Sequence, residues 1–493
     1  MKPPPRPEPP PGDESRLRLF VTLFGAFLGL TLLKFGNPPI METWVSAPRD
    51  IYELLLGSPW PIGWAYGFLA IVTVLGLVSA RWQVSAPLWL VALPLAWLIW
   101  QCLAASHSLD ARTSWGIVVH FAACLVCFYL GLFSLSRAKS LAPFWLGLTL
   151  GFLFLVAVGW EQHFGGLADT RRYFFLYLYP KMKSVPPEYF KRLASDRVFS
   201  TLFYPNTLAG ALILLLPAVL AAAGSVRRLT IPARGFVAAV IAVGALACLY
   251  WSGSKTGWLL MLLLGIIVLL ALPLGRQFRT ALVGGVLLLG LVGFFWHFAG
   301  FFRKGATSVS ARMDYWQAAA RIAKNHPLLG SGPGTFGISY QAIKRPESEP
   351  AKLTHNDYLQ QACDSGLAGF LAYSAFILGV LVWSAPNFKP SVRRQEGRGA
   401  LAGRAQERAA VTSLAGALAA FSRVCASAAR QTETEGSGAL GLAQDWQRFA
   451  LWLGVLGWSL QGLFEFGLYI PALAWPAFAF MGWLCAKVID NSR

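Results

Sequence analysis

Apolar residues in this chain come in long blocks, not in the alternation of a half-buried strand or the stripe of a surface helix. Runs of roughly 17 to 25 residues, the length that crosses about 30 Å of hydrocarbon as a helix, fall near 18–34, 62–80, 86–104, 114–135, 142–160, 201–223, 233–250, 257–274, 281–300, 357–384, 449–466 and 471–488. A helix satisfies its backbone hydrogen bonds internally, which is what hydrocarbon demands. The pattern therefore predicts an all-α, polytopic membrane protein of about 12 transmembrane helices. The first run lacks an A-x-A cleavage site and is followed by eleven more, so it is expected to be a retained span. The Ala-rich stretch 408–430 carries Arg423 and Arg430 behind a basic leader, and is expected to be a cytoplasmic amphipathic or irregular stretch instead of a further span.

Short loops set the orientation, because Lys and Arg stay on the cytoplasmic side. Arg137 and Lys139, then Arg227, Arg228 and Arg234, then Arg276 and Arg279 occupy alternate loops. That places both termini in the cytoplasm and 35–61, 161–200, 251–256 and 301–356 outside. Four regions follow: a Pro-rich, disordered cytoplasmic tail over 1–17; a transmembrane bundle over 18–384 that includes the outer loops 161–200 and 301–356; a flexible cytoplasmic insertion over 385–448; and a last pair of helices with a short tail over 449–493.

Composition adds a constraint. With 56% hydrophobic and 13% charged residues the chain is no soluble domain, and its net charge of +19 is divided between two membrane faces, which argues against nucleic acid as a partner. Orientation explains much of that charge but not the excess outside. Arg171, Arg172, Lys181, Lys183, Lys191, Arg192 and Arg197 lie in one outer loop, and Arg303, Lys304, Arg312, Arg321, Lys324, Lys344, Arg345 and Lys352 in another. Two readings stand side by side: attraction to anionic lipid headgroups and, for those nearest the membrane, an anionic substrate. The seven cysteines avoid the outer loops, so no disulfide framework is expected, and Cys124 and Cys127 read as packing residues and not as a metal site.

Loop 301–356 contains helix, turn and helix signals in order and should be folded. SVSARMDYWQAAARIAKNHP has N-cap candidates at Ser308 and Ser310, a stripe of Arg312, Trp316, Ala319 and Ala323, and a stop at His326-Pro327. The Gly-rich turn that follows includes GPGTFG, a chance match to the dinucleotide fingerprint because no βαβ unit surrounds it. SGSKTG around Lys255 likewise lacks the first glycine of a P-loop. Amides of the Gly-rich turn can cradle a phosphate oxygen or simply close a tight connector. Beyond it, Thr354 is expected to cap a re-entering helix, with Asp357 three residues on and His355 in the first turn, where the helix dipole keeps the imidazole neutral. Gly366 and Gly369 would allow close helix contact. A lone histidine at a helix start is most often a hydrogen-bonded surface group, and Lys255 and Arg312 on their own read as residues reaching for headgroups. Gathered at one outer face, the three supply what displacement of a diphosphate needs: cations on the leaving group and a base for the acceptor.

At this point the sequence resembles the O-antigen ligase and polymerase superfamily of bacterial membrane glycosyltransferases. His355-Asn356, nine residues, Gly366, two residues and Gly369 reproduce its H-[NSQ]-x9-G-x-x-G signature. FSTLFYPNTLAGALILLLP with Asn206, SGSKTGWLLMLLLG, RMDYWQAAARIAKNHPLLGSGPGTF and GLFEFGLYIPALAWPAF agree in order. The resemblance implies a GT-C-like helical fold in the bacterial inner membrane, with no cofactor and no metal. It also implies transfer of a glycan from an undecaprenyl diphosphate carrier to lipid A-core, another glycan or a protein hydroxyl at the periplasmic face. By the matching motifs His355 would activate the acceptor, and Arg312 and Lys255 would bind diphosphate. Arg197, Asn206 and Asn356 are further candidates for substrate contact, with structural capping the alternative for Arg197 and Asn206. The chain has Lys255 where the family usually has Arg, and Glu465 where many relatives have Asp; Glu465 is expected to be structural. A transporter or flippase of lipid-linked saccharides is the rival class, for which ionisable sites near the bilayer midplane would be expected.

Overall fold

A computed structural model describes residues 11–55, 59–80, 82, 86–181, 190, 194–226, 228–272, 274–303, 307–386 and 438–486. Most of the Pro-rich tail, nearly all of the 385–448 insertion with the 408–430 stretch and Cys425, and Lys183, Lys191, Arg192, Arg227 and Lys304 lie outside the described residues, as does the side chain of Lys181. Among the described residues every regular element is helical and none is a strand. Among the described residues, eight helices are long and apolar enough to cross a membrane: Asp13–Lys34, Leu88–Ser106, Ala111–Arg137, Ala142–Tyr177, Pro205–Gly224, Ile231–Trp251, Arg276–His297 and Asp357–Trp383. Shorter apolar helices span Ile62–Val78, Lys255–Ala271 and Pro471–Cys485, and one further helix runs Gly438–Gln461. Each hydrophobic block of the sequence lands on one of these helices. The protein is thus a multi-pass membrane protein whose described residues are all-helical.

Small residues set how closely the helices approach. Gly25 and Gly29 of the first helix face Gly147 and Gly151 of Ala142–Glu161, and a Cβ at any of the four would strike the opposite backbone. Two small-xxx-small stripes thus interlock. Pro471–Cys485 is buried along its whole length at the centre of the bundle, where Gly482 lies against the backbone of Phe128 in Ala111–Phe133. Arg276–His297 is the opposite case: of its 22 residues only Phe294 is buried, as suits a helix turned towards lipid.

The helix Asp357–Trp383 departs from expectation. It is broken at Ser365 and Gly366, where Gly366 takes φ +71°, so Gly366 serves the break itself more than helix contact. A Cβ there would collide with the Leu328 carbonyl. The Gly-rich turn 327–335 docks into this break. Leu367 N donates to Pro327 O at 2.8 Å, while Ser331 N and Gly332 N donate to the Cys363 and Asp364 carbonyls, both at 2.9 Å. Gly334 N donates to Asp364 Oδ2 at 2.8 Å. Gly330, Gly332 and Gly334 all have positive φ, which brings the turn's amides round to these carbonyls. The turn is therefore a connector that satisfies the polar groups a broken helix exposes in an apolar setting, and the amides suited to a phosphate are already engaged.

The short segment before the break is held by buried polar side chains. Gln361 Oε1 accepts from Trp97 Nε1 at 2.8 Å and from Gln101 Nε2 at 2.9 Å, and its Nε2 donates to the Tyr469 hydroxyl at 2.9 Å. Asp364 Oδ1 accepts from Gln360 Nε2 and its Oδ2 from the Tyr469 hydroxyl, each at 2.9 Å. These bonds tie the helix Leu88–Ser106 and the turn holding Tyr469 to the residues that follow His355.

Candidate functional site

The cap of the re-entering helix differs from the expected one. Asn356, not Thr354, is the N-cap: its Oδ1 accepts from Leu359 N at 2.9 Å. His355 accordingly precedes the helix and adopts a left-handed φ of +53°. Thr354 braces this turn by donating its hydroxyl to Asn356 O at 2.8 Å. The next residues bind the loop between the last two long helices: Asn356 Nδ2 donates to Leu463 O at 2.9 Å, Asp357 N to Gly462 O at 2.7 Å, and Leu468 N to Asp357 Oδ2 at 3.0 Å. Both polar atoms of Asn356 are thereby spent within the protein. The stitching delivers Glu465 to His355.

Glu465 joins the site together, a position that reading it as structural had missed. Its Oε2 lies 3.2 Å from His355 Nδ1, and its Oε1 pairs with the Arg312 guanidinium and accepts from Asn206 Nδ2 at 2.6 Å. Asn206 Oδ1 in turn accepts from Arg197 Nη2 at 2.7 Å, and Arg197 Nε donates to Ser252 O at 2.7 Å. Burial alone would push the Glu465 carboxyl up. The Arg312 charge, the His355 hydrogen bond and the Arg197 charge outweigh it and hold the group below the ordinary glutamate value. Arg197 is moved down by desolvation, which the Glu465 charge partly opposes. The one signal of Glu465 in the sequence is a carboxylate set within the apolar run GLFEFGLY.

Lys255 starts its helix beside this group, behind an N-cap made by Ser254, whose side chain accepts from Gly257 N. Its ammonium lies 3.9 Å from the Phe301 ring centroid and 5.1 Å from that of Phe298, within electrostatic reach of Arg197 and Arg312. No carboxylate among the described residues pairs with it. The site therefore sets the basic side chains of Arg197, Arg312 and Lys255 against one carboxylate, that of Glu465. His355 packs edge-on against Phe466 at 4.9 Å and beside Tyr315 at 6.0 Å, with its side chain 32% exposed. Its Nδ1 is engaged by Glu465, whereas Nε2 has no hydrogen-bond partner among the described residues. With the proton on Nδ1, as pairing to a carboxylate requires, Nε2 keeps its lone pair. The structure thus brings His355, Arg312, Lys255, Arg197 and Asn206 into one place, while Asn356 serves as a cap at its edge.

Helices of membrane-spanning length with basic side chains and a histidine gathered in one place define a multi-pass membrane protein with a cation-rich site. Residues 240–374 match the family model described as O-Antigen ligase, which supports the resemblance to the O-antigen ligase and polymerase superfamily, a family of glycosyltransferase-type enzymes. The matched segment includes Lys255, Arg312 and His355; Arg197, Asn206 and Glu465 reach the site from outside it. A comparison with curated proteins finds no match.

Proposed function

We propose that the protein transfers a glycan from an undecaprenyl diphosphate carrier to an acceptor hydroxyl at the periplasmic face of the bacterial inner membrane. The observation that carries this reading is the His355 Nδ1 contact with Glu465, which leaves Nε2 as a base beside three cations. In the reaction, Nε2 takes the proton of the acceptor hydroxyl as its oxygen attacks the anomeric carbon. The bond from that carbon to the diphosphate oxygen breaks, and the carrier leaves as undecaprenyl diphosphate with the electron pair. Arg312 and Lys255, supported by Arg197, stabilise the charge that grows on the leaving oxygen. Glu465 orients the imidazole and stabilises the imidazolium after proton transfer. A single displacement of this kind inverts the anomeric centre.

Purified protein is incubated with an undecaprenyl diphosphate glycan and, in parallel, lipid A-core, a second carrier-linked chain and a serine-bearing protein. Transfer to one of them is expected, with His355→Ala lowering it by roughly 10²- to 10⁴-fold. Full activity in that variant would remove His355 from the chemistry. In this scheme cationic side chains carry the charge stabilisation without a metal, so chelator should leave the rate unchanged. If the carrier-linked glycan instead crosses liposome membranes intact and unreacted, the flippase class is favoured.

A further inference from the structure

A second cleft lies on the outer loop, away from Glu465, between the helices Thr307–Asn325 and Phe336–Ile343. Asp314, Gln317 and Arg321 recur at helical spacing on one wall, and Tyr340, Arg345 and Ser348 line the other. The Ser348 hydroxyl joins the two walls by donating to Asp314 Oδ2 at 2.7 Å, and the second wall is braced within itself by Lys344 Nζ donating to Ser348 O at 3.0 Å and the Tyr340 hydroxyl donating to Glu349 O at 3.2 Å. Asp314, the one carboxylate lining the cleft, is thus occupied by Ser348. The Arg321 and Arg345 guanidinia are exposed, and neither has an ion pair or hydrogen bond among the described residues. The cleft also shares a wall with the site. Tyr315 stands between them, its ring 5.5 Å from that of Tyr340 and 6.0 Å from that of His355.

We propose that this cleft is an acceptor subsite for a sugar bearing an anionic substituent, phosphate or carboxylate, with Arg321 and Arg345 holding the anion. Paired guanidinia recognise such groups through parallel N–H donors, which a single lysine charge does not reproduce. Gln317 and the remaining oxygen of Asp314 are suited to ring hydroxyls. A saccharide of two or three units can then pass over the loop surface above the buried Tyr315, with its anionic unit in the cleft and its reacting hydroxyl at His355 Nε2. The inference rests on the transferase reading above and narrows it: the acceptor is itself a charged glycan, not an isolated protein side chain.

Two arms test it on the full chain in detergent. In the first, glucose 6-phosphate, glucuronate and glucose are titrated and followed by saturation-transfer NMR, against wild type and the Arg321→Ala/Arg345→Ala variant. Binding of at least one anionic sugar is expected, weakened tenfold or more in the variant, with glucose far weaker; which anionic sugar binds distinguishes phosphate from carboxylate. Equal binding in the two proteins, or equal binding of glucose, overturns the subsite. In the second arm, transfer kinetics should show acceptor KM raised about tenfold in the variant, with kcat and donor KM unchanged and partial recovery in Arg321→Lys/Arg345→Lys. An unchanged acceptor KM overturns the acceptor role. Absence of any transfer by wild type counts against the transferase reading, while the first arm still decides whether the cleft binds anionic sugars.

Discussion

His355 combines a reactive ring with an unusual backbone. Its φ of +53° is uncommon for a residue with a side chain, and such conformations cost of order 1–3 kcal/mol unless the surroundings impose them. Asparagine enters this region readily. His355→Asn should therefore fold with a melting midpoint close to wild type while losing transfer by roughly 10²-fold or more, which separates the base from the turn that presents it. Glu465→Gln keeps the shape but removes the charge shared by Arg312 and His355; breaking such a buried pair costs about 3–5 kcal/mol, read as a lower melting midpoint together with slower transfer. The pH dependence has a definite sign. The folded-state value of Glu465 lies below its ordinary 4.5, so its stabilisation is complete above that value and is lost as pH falls through the lower folded one. Thermal stability measured against pH should show a steeper acid limb in wild type than in Glu465→Gln. His355, Arg312 and Lys255 were legible from residue type and motif. Glu465 was not, because nothing local in GLFEFGLY says that the carboxylate will be met by a histidine 110 residues away in the chain.

At the scale of elements, the hydrophobic blocks locate the helices because a bilayer imposes their length and leaves few alternatives. The break in Asp357–Trp383 is not placed by the same reading: the polar residues Gln360, Gln361, Asp364 and Ser365 run up to it, yet its orphaned groups are satisfied by Pro327, Ser331 and Gly332 from an earlier turn that the block pattern does not connect to it. Asn356 displaced Thr354 as the cap for a similar reason. Both are good capping residues, and the bond from Asn356 to Leu463 O decides between them. Gly366→Ala puts a Cβ onto the Leu328 carbonyl at a φ that disfavours it. It should lower stability by about 1–3 kcal/mol and weaken transfer by displacing the His355 turn, visible as a lower melting midpoint and a lower kcat.

Across the whole molecule, polar contacts sort to two ends. Arg137 pairs with Asp13 at 2.9 Å and Gln447 Nε2 donates to Ser225 Oγ at 3.2 Å at one end, while Arg197, Asn206, Arg312, His355 and Glu465 meet at the other. If the first end is cytoplasmic, an impermeant thiol reagent should label Gln341→Cys from the periplasm and Lys139→Cys only once the inner membrane is opened. The described native cysteines are buried or half-buried and should give little background. The contact between His355 and Glu465 also bears on synthesis. A ribosome adds about 5–20 residues each second, so roughly 5–20 s separate the emergence of the histidine from that of its carboxylate partner. During that interval Asp357 lacks its Gly462 and Leu468 partners too. On the proposed mechanism, the nascent chain lacks the carboxylate that orients His355 until its final hairpin inserts. A chain truncated at residue 437 should be inactive although it retains every motif up to Gly369, and co-expressing residues 438–493 as a separate polypeptide should restore transfer.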